Sequence, residues 1–254
     1  MTFIFYQLIA AGLIFITSLI TAIYPLKVRA HPAHRPFLEL ADAFSSGIFL
    51  GAALFHMLPS AIDGFQAALG SMHFPIAEAF CALGFLLLLF LERIAECSSH
   101  DGTPTSTIPF MLAFILIVHA LIEGAALGVN TTLADAGIIF VAIIAHKSSE
   151  SFALAVVLNR SLFPLRLAMI VVGLFSLMTP IGIAIGSWST HLLASQSSQL
   201  LTAGFNAFAA GTFLYMSTLH HINHHDRKHE GEGLREFFSL SIGFALMAGI
   251  AFWV

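Results

Sequence analysis

Two hydrophobic stretches of this sequence each contain a histidine and a glutamate four residues apart. The first, FILIVHALIEGAALGVN, carries His119 and Glu123, and the second, FVAIIAHKSSESFALAVVLN, carries His146 and Glu150. Residues i and i+4 lie on one face of a helix, so each stretch would present an imidazole beside a carboxylate. Two such faces turned toward each other would offer two nitrogens and at least two oxygens. This ligand set suits zinc and tolerates iron, manganese or cadmium.

The second stretch also contains Lys147, directly after its histidine. An ionised side chain near the centre of a bilayer costs roughly 2.5–3.5 kcal/mol on insertion scales. Glu123, Glu150 and Lys147 would therefore be costly unless they pair, bind a metal or face water. The alternative to a metal site is that these histidines and glutamates form structural hydrogen bonds between helices, or an ion pair with Lys147. The repeated His-x-x-x-Glu spacing favours the metal. The small-xxx-small pair Gly124 and Gly128 would let helices approach closely.

The composition indicates that these ligands are held inside a membrane. The 254 residues are 58% hydrophobic and only 9% charged, whereas a soluble domain carries about 25% charged residues. A spanning helix needs about 20 apolar residues. Eight segments qualify: 3–25, 39–59, 75–95, 108–130, 135–158, 165–187, 198–219 and 237–254. We predict an all-α, multi-pass integral membrane protein in which residues 1–254 form one bundle of eight transmembrane helices, with a break at Asp63-Gly64.

The basic residues predict how the bundle is oriented. Nine of the ten fall on one side of an eight-helix topology: Lys27, Arg29, Arg35, Arg93, Arg160, Arg166, Arg227, Lys228 and Arg235. By the positive-inside rule this side is cytoplasmic, so both termini lie on the outer side of the membrane. We expect this membrane to be a plasma or inner cell membrane. The net charge of -4 gives no argument for a nucleic-acid partner, and a homodimeric assembly stays open.

The motifs in these segments resemble the ZIP family of metal transporters (Zrt-, Irt-like proteins). The stretch from His119 through Glu123-Gly124 looks like that family's fourth-helix signature, and His146-Lys147-Ser-Ser-Glu150 looks like its fifth-helix counterpart. The sixth segment, SLMTPIGIAIG, and the second segment's His56-Met57-Leu58-Pro59 are similar to further family patterns. The resemblance covers essentially the whole chain.

The resemblance implies uptake of divalent metal, most of all Zn²⁺, into the cytoplasm through a site between helices four and five. The metal is then the transported substrate, and no cofactor is required. Many family members bind a second, adjacent ion through polar residues at positions that are Ala120 and Lys147 here. Alanine cannot ligate, and an ammonium would repel a dication or stand in for it. We therefore predict one intramembrane metal, with Lys147 paired with Glu123 or Glu150 in place of a second.

Two further groups of residues could handle metal outside this site. His56, with Asp63 beyond it, could gather metal at the outer mouth, or His56 could be a helix-end imidazole bonded to backbone. The predicted cytoplasmic loop 220–236 is rich in histidine. Its members are His220, His221, His224, His225 and His229. This loop could capture or sense emerging metal, or it could be a solvated loop with incidental metal affinity.

Two other classes of function stay open at this point. An intramembrane zinc hydrolase would use three protein ligands and an activated water, but the predicted topology places the histidine-rich loop far from the carboxylates. A non-transporting metal sensor would instead depend on that loop. The sequence has no GxxxxGK[ST] motif, so ion gradients or the membrane potential would have to drive transport.

Overall fold

The protein is almost entirely helical in a computed structural model, which describes residues 2–27, 35–70, 73–98, 107–129, 133–160, 163–188, 196–222 and 232–252. Over these ranges no strand occurs, and the all-α prediction is confirmed. The α-helices, in chain order, are α1 Thr2–Lys27, α2 Arg35–Ala52, α3 Leu58–Leu69, α4 Ile76–Ser98, α5 Thr107–Val129, α6 Leu133–Arg160, α7 Leu165–Trp188, α8 Gln196–Ile222 and α9 Glu232–Ala251. A π-helical turn joins α2 to α3, so the described chain forms eight continuous helical rods.

The helices expose apolar side chains on the outside of the bundle, as helices surrounded by lipid do. Ile4, Phe114 and Ile242 are each more than 60% exposed, although water would disfavour such surfaces. By length and composition, five described stretches could cross a membrane: Ile4–Lys27, Glu39–Leu69, Ile139–Asn159, Leu165–Trp188 and Gly233–Ala251. Within α5, Ala113–Val129 forms a shorter apolar helix. A polytopic arrangement is thus confirmed, while the placement of both termini outside stays a prediction.

The predicted break at Asp63-Gly64 is wrong, because the second rod continues to Leu69. The chain turns at Gly70, whose φ of 77° is readily adopted only by glycine. Pro59 has no N–H to donate, which would disrupt a regular α-helix. Here the rod passes through a π-helical turn at Ala53–Met57 immediately before α3, with the Leu58 N–H bonded to the Ala53 carbonyl.

The rods form two groups according to their packing. In the first, which we call the ligand bundle, α5 packs most extensively on α7, and α1 packs on both α6 and α7. In the second, the companion bundle, α2 packs on α9 and α8 packs on α3 and α4. Contacts between the bundles are fewer, chiefly between α2 and α6. The two predicted metal-binding segments therefore belong to the same bundle.

Close contacts between backbones hold the ligand bundle together. A Cβ added at Gly124 on α5 would collide with the Thr179 carbonyl on α7, and one added at Gly182 would collide with the Leu121 carbonyl. The predicted close approach at Gly124 is thus confirmed, and α7 is the partner. The Ser151 hydroxyl donates to the Ser18 carbonyl and so ties α6 to α1.

The histidine-rich loop is shorter than the predicted range 220–236, because α8 continues to Ile222 and α9 begins at Glu232. His220 and His221 therefore lie on the last turn of α8, although their side chains lie outside the described part of the structure. His224, His225 and His229 also lie outside the described residues. Metal capture by this loop stays a prediction.

Candidate metal site

The site is formed by one face of α5 and one face of α6. His119 and Glu123 lie one turn apart on α5, and His146 and Glu150 lie one turn apart on α6. All four side chains are buried, and α6 contributes the two that are completely inaccessible. One ligand atom from each residue lies within 4.8 Å of the others. The structure therefore brings together the four residues whose spacing indicated a metal site.

The contacts among these four residues converge on one oxygen of each carboxylate. The His146 Nε2 atom lies 2.5 Å from Glu123 Oε1 and 3.8 Å from Glu150 Oε1. The His119 Nε2 atom lies 3.9 Å and 3.4 Å from the same two oxygens. Two imidazole nitrogens and two carboxylate oxygens thus surround a common point.

Lys147 lies on the other side of both carboxylates. Its Nζ atom is 2.9 Å from Glu150 Oε2 and 3.4 Å from Glu123 Oε2. Each carboxylate therefore directs Oε1 toward the imidazoles and Oε2 toward the ammonium. Both structural alternatives to a metal site are present, as the hydrogen bond between His146 and Glu123 and as the ion pair of Lys147. The ion pair nevertheless leaves the Oε1 atoms on the side of the histidines.

A phenylalanine completes the surroundings of the ammonium. The Lys147 Nζ atom lies 4.4 Å from the centroid of the Phe175 ring, and both residues are completely buried. A cation over an aromatic face is attracted by the ring quadrupole, more strongly when water is absent. A second aromatic residue, Phe213 on α8, lies edge-on to the His119 imidazole with ring centroids 5.4 Å apart. The sequence contains 25 phenylalanines, and no spacing in it distinguishes Phe175 or Phe213 from the others.

Two of the ligand atoms have no hydrogen-bond partner within the described structure. His119 Nε2 and Glu150 Oε1 are both buried, and they lie 3.4 Å apart without forming a hydrogen bond. A buried polar atom without a partner is uncommon in proteins and calls for an explanation such as an ion or a water. These two atoms are the ones that a bound cation would satisfy.

The residues predicted to gather metal do not all reach the site. His56 is half-buried on the π-helical turn of the companion bundle, and its ring lies 5.9 Å from the His146 ring. Asp63 is exposed further along, on α3. Ala120 follows His119 on α5 and is fully buried, and its methyl side chain has no atom that could bind a metal.

Comparison with known proteins identifies relatives along the whole chain. The family model described as ZIP zinc transporter matches residues 5–107 and 95–251. Zinc transporter ZIP1 of Takifugu rubripes is 31% identical, with 95% of each chain covered. Human zinc transporter ZIP1 is 29% identical over 96% of this chain and 89% of its own length. Human zinc transporter ZIP2 is 27% identical over 87% of each chain.

Proposed function

This chain belongs to the ZIP zinc transporter family, and on that premise we propose that zinc crosses the membrane through the buried site between α5 and α6. The protein is an integral, multi-pass membrane protein that transports divalent metal, with zinc as its substrate. The family assignment favours a transporter over the intramembrane hydrolase and over the non-transporting sensor.

The observation that carries this proposal is the convergence of the four ligand atoms within 4.8 Å of one another, with imidazole–carboxylate separations near those around a tetrahedral zinc ion. Zinc binds histidine nitrogen and carboxylate oxygen at about 2.0–2.2 Å, so tetrahedral ligand atoms lie about 3.3–3.5 Å apart. The four imidazole–carboxylate separations are 2.5, 3.4, 3.8 and 3.9 Å. Movements of less than about 1 Å would bring each pair to the distance that zinc requires. Of these four pairs, the one that must open is the hydrogen bond between His146 and Glu123.

Lys147 supports a site for one ion rather than two. Two ionised carboxylates and one ammonium leave a single negative charge beside two neutral imidazoles. One dication then brings the net charge to +1. A second dication beside the Glu123 and Glu150 Oε2 atoms would meet an ammonium that already lies within 3.4 Å of both. We therefore propose that the Lys147 ammonium fills the place of a second cation.

The division into two bundles supports alternating access. All four ligands lie on α5 and α6 of the ligand bundle, whereas His56 and Phe213 of the companion bundle cover the two imidazoles. A shift of one bundle against the other would uncover the site on one side of the membrane and close it on the other. We propose net movement of zinc into the cytoplasm, as the resemblance implies, and a first contact with metal at His56. Imidazoles must be neutral to bind, so protons compete with the metal.

The metal is cargo in this proposal, and no separate cofactor is required. The mixed nitrogen and oxygen ligand set would also accept iron, manganese or cadmium, because zinc sites of this type select weakly by ligand chemistry. Assembly as a homodimer and capture of emerging metal by the histidine-rich loop are compatible with this arrangement. Neither is needed for the ligands to converge within one chain.

Uptake of radiolabelled zinc into proteoliposomes tests the site. Glu123→Ala and His146→Ala each remove one of four ligands, and we expect transport to fall by roughly tenfold or more, since losing even an outer-shell partner weakens metal sites 10–100-fold. His73→Ala and Glu78→Ala are matched controls with the same changes of side chain at exposed positions, and they should transport normally. Undiminished transport in both site variants would remove this site from the pathway.

A further inference from the structure

An apolar crevice separates α5 from α8 at the middle of the bundle. It has a volume of about 130 Å³, and its walls include Phe114 and Val118 on α5 and Phe205 and Ala209 on α8. Val118 lies eleven residues from either end of α5, and Ala209 lies thirteen residues from either end of α8. Because both helices are long enough to span a hydrocarbon layer about 30 Å thick, the crevice lies near the depth at which lipid acyl chains end.

The crevice opens sideways, toward lipid, and closes against a metal ligand. Phe114 is 64% exposed and Phe205 is 38% exposed, so both rings stand at the outer edge of the crevice. The His119 imidazole, which is only 6% exposed, lines its inner end. A path for an apolar group therefore leads from the outer surface of the protein to the edge of the proposed metal site.

The size and chemistry of the crevice select an apolar occupant. An apolar protein cavity of about 150 Å³ lined by similar side chains stays dry and binds benzene, because water needs two to four polar partners. This crevice is nearly as large, and its surface is apolar. It can accept several carbon atoms but offers nothing that would hold a lipid headgroup. The hydrocarbon that surrounds Phe114 and Phe205 is the nearest source of such carbons.

We propose that the crevice binds the terminal segment of a phospholipid acyl chain, which then contacts the His119 imidazole between the two bundles. Because α5 and α8 belong to different bundles, the shape of the crevice depends on how the bundles are placed. A bound acyl chain can leave the crevice when the bundles move, because it is not covalently attached to the protein. The assignment of His119 as a ligand rests on the proposed function, but binding of the acyl chain does not.

Photocrosslinking in proteoliposomes tests binding directly. The probe is a phosphatidylcholine with a diazirine near the end of one acyl chain, and mass spectrometry locates the adducts. We expect labelling at Phe114–Val118 and Phe205–Ala209 to exceed labelling at exposed Leu174 and Leu177, near the middle of α7, by about fivefold. Ala209→Phe, which fills the crevice, should abolish the excess and leave the α7 signal unchanged. Equal labelling of both surfaces, or an excess that survives Ala209→Phe, would overturn the proposal.

Transport separates this inference from the proposed metal site. Ala209→Phe should reduce zinc uptake at least threefold while zinc affinity changes less than twofold, because the added ring obstructs bundle movement but removes no ligand. Leu177→Phe, at an exposed position near the middle of α7, is the matched control and should transport normally. If Ala209→Phe does not fold, Phe205→Ala widens the opening and should raise crevice labelling at least twofold. Unchanged crevice labelling in Phe205→Ala would refute the acyl-chain proposal, whether or not Glu123→Ala reduces zinc uptake.

Discussion

Replacing Lys147 with aspartate should convert the site from one bound zinc ion to two. The ammonium interacts with two carboxylates at 2.9 and 3.4 Å. At an effective dielectric constant of about 20, each such pair of unit charges is worth about 5 kcal/mol before desolvation. Lys147→Asp removes both attractions and adds a third carboxylate at the same place. A second dication is the group that would restore the lost positive charge.

Counting charges gives the same result. With one zinc ion, the wild-type site carries a net charge of +1, whereas Lys147→Asp with one zinc ion would carry -1. A second zinc ion returns the variant to +1. Without metal, the variant would bury three carboxylates and no cation, which is strongly unfavourable. We therefore expect its thermal stability to depend on zinc, with a stabilisation of about 2.7 kcal/mol at zinc concentrations 100 times the Kd.

The assay is metal content after size-exclusion chromatography in nanodiscs, measured by inductively coupled plasma mass spectrometry. Wild type should retain one zinc ion per chain and Lys147→Asp two. Lys147→Met removes the ammonium without adding a ligand, and it should still bind one. A second ion that persists in Lys147→Asp combined with Glu123→Gln would have to bind elsewhere. Retention of one ion by Lys147→Asp, or of two by wild type, refutes the view that the ammonium replaces a cation.

Two further predictions concern the packing that holds the site. Phe175→Leu removes the aromatic face beside the Lys147 ammonium, and it should lower the free energy of unfolding by about 2 kcal/mol. A double-mutant cycle with Lys147→Met checks the cause. In the Lys147→Met background, the loss from Phe175→Leu should shrink to the packing contribution alone. Gly124→Val forces a side chain against the Thr179 carbonyl and should lower the melting temperature and transport together. Gly173→Ala, which meets no atom within 4 Å, should lower neither, because alanine favours a helix interior over glycine.

The helices and the ligand pairs could be predicted from the sequence because lipid and helical geometry impose simple rules. A spanning segment must be apolar over its whole length, so hydropathy predicts most of the helix ends to within a few residues. A spacing of four places two side chains on one helical face, so His119 could be paired with Glu123, and His146 with Glu150, from their positions in the chain alone. Consecutive segments joined by a short connection also tend to be neighbours, which favours the meeting of the two pairs.

Other features depend on contacts between rods that are distant in sequence. Asp63-Gly64 has the composition of a turn, yet α3 continues through it to Leu69, with Gly64 lying close to Ala203 of α8. The sequence predicts that Lys147 pairs with Glu123 or Glu150. It does not show that Lys147 pairs with both, because that depends on the separation of α5 and α6. Phe175 is one apolar residue in an apolar helix. Only the packing of α7 shows that it faces an ammonium.

If the proposed site binds metal, the two oxygens of each carboxylate would let it be stable without the ion and still accept it. The Oε2 atoms of Glu123 and Glu150 share the ammonium, so the negative charges are partly compensated when the site is empty. The Oε1 atoms remain beside the imidazoles, so a metal can bind without displacing Lys147. Because these groups all lie in the ligand bundle, movement of the companion bundle would change only what covers the ion. The coordination itself would not have to break until the site faces the side of release.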